Sequence, residues 1–98
     1  MIVRRVIWLP DIEDKIIQKH NVLAEEAEEV LFGNTRVRFV EKGHRRGEDV
    51  YAAYGQTEAG RYHLIVYFIL KQGSEALVLS VRDMDSKERR LYGGKRRY

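Results

Sequence analysis

Ser80-Val81-Arg82-Asp83 brings a hydroxyl, a cation and a carboxylate to the end of an otherwise apolar run, and three histidines, His20, His44 and His63, lie elsewhere in the chain. Imidazole titrates nearest neutral pH, so the histidines are the first candidates for proton transfer. Each also has a plain structural reading: His20 ends a helix, His44 belongs to a loop, and His63 packs in or beside a sheet. No two histidines are four residues apart, and Asp83 with Asp85 reads as a turn and a helix cap, so no metal site is expected. No glycine-rich phosphate loop is present, and glycine flanks neither Ser80 nor Ser86 as a nucleophile elbow requires. No cofactor is expected either.

What these side chains suit is cleavage of a phosphodiester without a metal. Cutting RNA in that way needs a base for the 2′-hydroxyl proton, a cation for the pentacoordinate phosphate and an acid for the leaving oxygen. Arg82, Arg61 and Lys19 are the candidate cations, and His20, Glu48 or Tyr92 the candidate proton carriers. Arginine fits the first role because its planar fork contacts two phosphate oxygens at once.

The chain of 98 residues is long enough for one small domain, residues 1–98, with a single core. It has no cysteine, which excludes disulfides and thiolate metal sites. No secretory signal is expected from Met1-Ile2-Val3-Arg4-Arg5, and the longest apolar run, Leu64 to Leu70, falls far short of a bilayer span. A soluble cytoplasmic protein with no membrane partner is the expectation. Net charge is +3, unevenly spread: residues 1–49 carry −1 and residues 50–98 carry +4. The segment 87–98 has six basic side chains and one acidic. Such a basic end suits phosphate or an acidic protein, and equally a solvated tail.

The elements that must position these groups follow from periodicity. Tyr62 to Leu70 is apolar on both parities, as in a strand covered on both faces, and Ala76 to Val81 pairs with it across Lys71-Gln72-Gly73-Ser74. A two-residue loop at Gln72-Gly73 sets His63 opposite Arg82, whereas a three-residue loop sets Leu64 there. Upstream, Val3 to Trp8 reads as a strand. Pro10 then opens a helix from about Asp11 to His20, which Asn21 ends in a left-handed conformation. A second helix spans about Leu23 to Phe32, with Leu23, Ala27, Val30 and Leu31 inward and Glu25, Glu26, Glu28 and Glu29 outward. Thr35 to Glu41 alternates Val37 and Phe39 against Arg36 and Arg38, and Glu48 to Thr57 forms the next strand. Between them the loop Lys42 to Gly47 holds Arg45 and Arg46, candidates for binding RNA. Asp85-Ser86-Lys87-Glu88 resembles a capping box and opens a last helix from about Ser86 to Tyr92. Strand, helix, helix, four strands, helix makes an α+β domain: an antiparallel sheet of about five strands with two N-terminal helices and one C-terminal helix.

Trp8, Lys19-His20-Asn21-Val22, Glu25-Glu26, Gly47-Glu48-Asp49-Val50-Tyr51, Gly55, Gly60-Arg61-Tyr62, Ser80-Val81-Arg82-Asp83-Met84, Glu88-Arg89 and Tyr92 together resemble the BrnT family of bacterial type II toxins over nearly the whole chain. The resemblance implies a RelE-like fold, metal-independent ribonuclease activity and a cognate antitoxin that pairs with the toxin and represses their operon. Position by position it points to Lys19, His20, Arg61, Ser80 and Arg82, with Glu48 and Tyr92 beside them. Val50 stands where the family commonly has Arg, and Leu23 where it usually has a Ser or Thr cap. RNA is then the expected substrate, its backbone held by Arg45, Arg46, Arg89, Arg90, Lys95, Arg96 and Arg97. The expected assemblies are a homo-oligomer or a toxin–antitoxin hetero-oligomer. The alternative is a non-catalytic RNA- or partner-binding module on the same fold.

Overall fold

The computed structural model describes residues 2–33, 35–57 and 63–94. Along the chain run β1 (Arg5–Ile7), α1 (Pro10–His20), α2 (Ala24–Phe32), β2 (Arg36–Glu41), β3 (Val50–Gln56), β4 (His63–Lys71), β5 (Glu75–Asp83) and α3 (Ser86–Gly94). The five strands form one sheet in the order β1-β5-β4-β3-β2. β2 to β5 are antiparallel, as short turns between consecutive strands require. β1 departs from the all-antiparallel expectation by lying parallel to β5. Two helices separate it from β2, so no short turn fixes its direction.

β4 is the middle strand, and its two apolar parities face two layers. Leu64, Val66 and Phe68 join Ala53, Val78, Val81 and the helix residues Ile16, Ala27, Val30 and Leu31 in the larger core. Ile65 joins Ala52, Met84 and Tyr92 on the other side. Thus α1 and α2 cover one face, and α3 covers part of the opposite face. No helix among the described residues is long and apolar enough to cross a membrane.

The helix ends follow local chemistry. Asn21 closes α1 at φ 54°, its N–H on the Ile17 carbonyl, while the Val22 N–H reaches Ile16. At the start of α2, Leu23 has no side-chain acceptor to offer. Only half a capping box therefore forms, in which Glu26 Oε1 accepts the Leu23 N–H at 3.0 Å. Leu23 itself is 52% exposed rather than inward, because it precedes the helix. Glu28, expected in solvent, instead accepts the indole N–H of Trp8 at 2.8 Å and ties α2 to the segment after β1.

The β4–β5 register follows the three-residue alternative from the turn to Phe68 and departs from both alternatives beyond it. Gln72 and Gly73 take positive φ in a three-residue loop, and Lys71 pairs with Glu75. Phe68 then pairs with Val78 but Tyr67 with Ser80, which leaves Leu79 as an extra residue in a bulge. Beyond it Ile65, not Leu64 or His63, lies opposite Arg82. Directly paired residues share a face. The bulge therefore keeps Val81 in the large core and turns Ser80 and Arg82 toward α3.

Candidate functional site: a basic cleft between the sheet and the last helix

Two rows of paired residues cross the α3 side of the sheet. One runs Arg36, Tyr54, Ile65, Arg82, and the next Arg38, Ala52, Tyr67, Ser80. Strands lie about 4.8 Å apart, so Arg36 and Arg82 stand roughly 14 Å from each other across three spacings. α3 closes over these rows through Tyr92, whose ring is buried beside Ile65 and Ala52. The result is a cleft of about 760 Å³ with Arg36, Arg38, Tyr54, Tyr67, Arg82 and Tyr92 among its walls, and Lys87, Asp85 and Glu88 at the helix side.

Arg82 is the most constrained cation of the cleft. Nη1 donates to Glu88 Oε1 at 2.8 Å and to the Asp83 carbonyl at 3.1 Å. Nη2 donates to Glu88 Oε2 at 2.8 Å and to the Tyr67 hydroxyl oxygen at 3.0 Å. A guanidinium has five N–H groups, so only Nε–H is outside this set. The guanidinium carbon also lies 5.8 Å from the centre of the Tyr67 ring. Glu88 has a second duty: Oε1 accepts the Asp85 N–H while Asp85 Oδ1 accepts the Glu88 N–H, which completes the expected capping box of α3. The fork-to-carboxylate hydrogen bonds hold the Glu88 carboxyl down at about 2 and push the Arg82 guanidinium further up, in each case against the effect of burial. The charge of Arg38 lowers Glu88 further.

Arg36 and Arg38 differ. Among the described residues neither side chain has a hydrogen-bonded or ion-paired partner, and the Arg38 guanidinium carbon lies 6.0 Å from the centre of the Tyr54 ring. The cleft thus contains one arginine with its donors engaged and two with donors to give. No three of His, Cys, Asp and Glu stand together as a metal site among the described residues.

Of the residues singled out in the sequence, the structure brings Arg82 and Tyr92 into this cleft and sets Ser80, exposed, on the same face beside Tyr67. Lys19 and His20 end α1, which packs through Ile16 on the opposite face of the sheet. Glu48 lies 3.5 Å from Lys71 Nζ. Lys71 is six residues along β4 from Ile65, the partner of Arg82, a distance of about 20 Å. Arg45 and Arg46 are exposed in the β2–β3 loop, and Arg89 and Arg90 are exposed on α3. Arg61, Lys95, Arg96 and Arg97 lie outside the described residues. His63 packs edge-on to Tyr92, with ring centres 6.3 Å apart. Arg36, Arg38, Tyr54 and Tyr67 were not among the sequence candidates. The alternation of β2 had placed both arginines on one face, but only the strand pairing shows which tyrosines share it.

A mostly antiparallel sheet with two helices behind it and a basic, tyrosine-walled cleft in front defines a compact α+β class of protein. Residues 8–88 match the family model described as the ribonuclease toxin, BrnT, of type II toxin-antitoxin systems, and the chain belongs to that family. The crystal structure of the Brucella abortus ribonuclease toxin BrnT has the same fold, with a TM-score of 0.60 at 19% identity over 86% of this chain and 100% of that one. No curated protein sequence matches the chain.

Proposed function

We propose that this protein is a metal-independent endoribonuclease whose active site is the cleft under α3, and that a cognate antitoxin restrains it. The observation that carries the reading is the convergence of Arg36, Arg38, Arg82 and Lys87 with Tyr54 and Tyr67 around one open volume. Membership of a ribonuclease toxin family supports RNA as the substrate and an antitoxin as the partner. In this reading the 2′-hydroxyl of the substrate attacks the adjacent phosphorus as its proton passes to solvent water, and the bond to the 5′-oxygen breaks as that oxygen takes a proton from the Tyr67 hydroxyl. A cyclic phosphate and a 5′-hydroxyl are left.

The Glu88 carboxylate sits where two oxygens of a phosphate would meet the Arg82 fork, so substrate exchanges one oxyanion for another at the same donors. Arg82 then faces the charge that grows on the phosphorane. The phenol of Tyr67 accepts from Arg82 and keeps its own O–H for the leaving oxygen. Lys19, His20 and Glu48 take no part in this proposal, since they stand apart from the cleft.

The test is incubation of a defined RNA with the purified protein in excess chelator. Fragments ending in cyclic phosphate support the reading. Intact RNA beside a folded protein supports a non-catalytic RNA-binding module instead.

A further inference from the structure

Resting on that reading of the cleft, we propose that Arg38 and Tyr54 form a platform on which one unpaired base of the RNA stacks, with Arg36 beside it to meet the backbone. The cleft is about 760 Å³, the size of pockets that enclose whole small-molecule ligands, whereas a phosphate alone would leave most of it empty. Its β5 side is taken up by Arg82 and Glu88, joined by a two-pronged ion pair. On the β2 and β3 side the Tyr54 ring lies under Arg38 at 6.0 Å, the outer limit of a cation–π contact, so the guanidinium covers the ring loosely. Arg36 pairs directly with Tyr54 across the strands and shares its face. An aromatic face joined to a guanidinium plane is the surface on which unstacked bases of single-stranded RNA are held, and a neighbouring cation suits the backbone. Arg36 and Arg38 are exposed on an edge strand, so a nucleotide reaches them without opening the core.

The platform selects single strands, because a base inside a duplex offers no free face. It also separates two tasks along the sheet: phosphate chemistry at Arg82, and grip on a neighbouring nucleotide at Tyr54. Those two residues stand two strands apart in one row.

The experiment measures anisotropy of a labelled single-stranded RNA of 2′-O-methyl sugars, which the protein cannot cut, beside an oligomer of the same backbone without bases. Base stacking is worth roughly 1–3 kcal/mol, so Tyr54→Ala should weaken binding of the base-bearing oligomer by about 5- to 150-fold. The abasic oligomer should bind wild type and Tyr54→Ala alike. Tyr54→Phe, which keeps the ring, should restore the affinity. Arg38→Ala should weaken both oligomers. An equal loss on both oligomers for Tyr54→Ala, or none on either, overturns the platform while leaving ribonuclease activity standing. Failure of the wild type to bind any single-stranded RNA overturns the platform and the proposed substrate together.

Discussion

Glu88 is the residue on which the local balance turns, because one carboxylate serves both the Arg82 fork and the cap of α3. Replacing it with Gln removes the charge and weakens both contacts. We expect Glu88→Gln to lower stability by about 1–2 kcal/mol, as the urea midpoint would show, since capping boxes and partly exposed ion pairs are each worth about 1 kcal/mol. If Arg82 receives phosphate in place of Glu88, the same variant should bind single-stranded RNA more tightly than wild type. Weaker binding by a folded Glu88→Gln protein would argue against the exchange. The pH dependence has a definite sign. The folded carboxyl is lowered to about 2 from its ordinary 4.5. Its contribution is fully present above about pH 4.5 and is lost as the pH falls toward 2. Urea midpoints of wild type and Glu88→Gln should accordingly differ at pH 7 and draw together near pH 2.

At the level of elements, the bulge at Leu79 and the β2–β3 loop decide what the cleft contains. Residues 42–49 are folded back by a bond from the Gly43 N–H to Asp49 Oδ1 at 3.1 Å and one from the Glu48 N–H to the Arg45 carbonyl at 3.2 Å. A Cβ on Gly43 would collide with the Glu48 carbonyl oxygen. Gly43→Ala must therefore displace backbone, and a loss of about 1–3 kcal/mol in urea unfolding is expected. The order and type of all eight elements were legible in the sequence, because Pro10, Asn21 and the Asp85–Glu88 pair mark helix ends and two apolar parities mark a central strand. The register was not. Both loop lengths that the turn allowed placed the wrong residue opposite Arg82, since a bulge four residues past Lys71's partner Glu75 has its cause in packing rather than in turn chemistry. For the same reason nothing in the sequence singled out Tyr54 and Tyr67. Which strand face they share with Arg36 and Arg38 depends on three pairings that no single stretch encodes.

Across the whole molecule, the sheet separates two groups of candidates that lie in the same sequence motif set. Lys19 and His20 belong to the layer of α1 and α2, while Arg82 and Tyr92 belong to the cleft beneath α3. Their types alone suggested one site, and only the two-layer arrangement parts them. The cleft's exposed cations should govern affinity for RNA. With Arg36, Arg38 and Lys87 each releasing a counterion, log K plotted against log salt should have a slope of about −2. Arg36→Ala should make that slope shallower by about 0.7, whereas a slope unchanged by Arg36→Ala would remove β2 from the binding surface.

Which side of the sheet carries the chemistry is tested most directly by cleavage of a defined RNA in excess chelator by wild type, Arg82→Ala and His20→Ala, each confirmed folded. Loss of the cation should slow cleavage by roughly 100-fold or more. His20→Ala should cut nearly as fast as wild type, where removal of a proton-transferring group would cost about 100-fold or more. The reverse pattern, a silent His20→Ala and an active Arg82→Ala, would move the chemistry to the other side of the sheet.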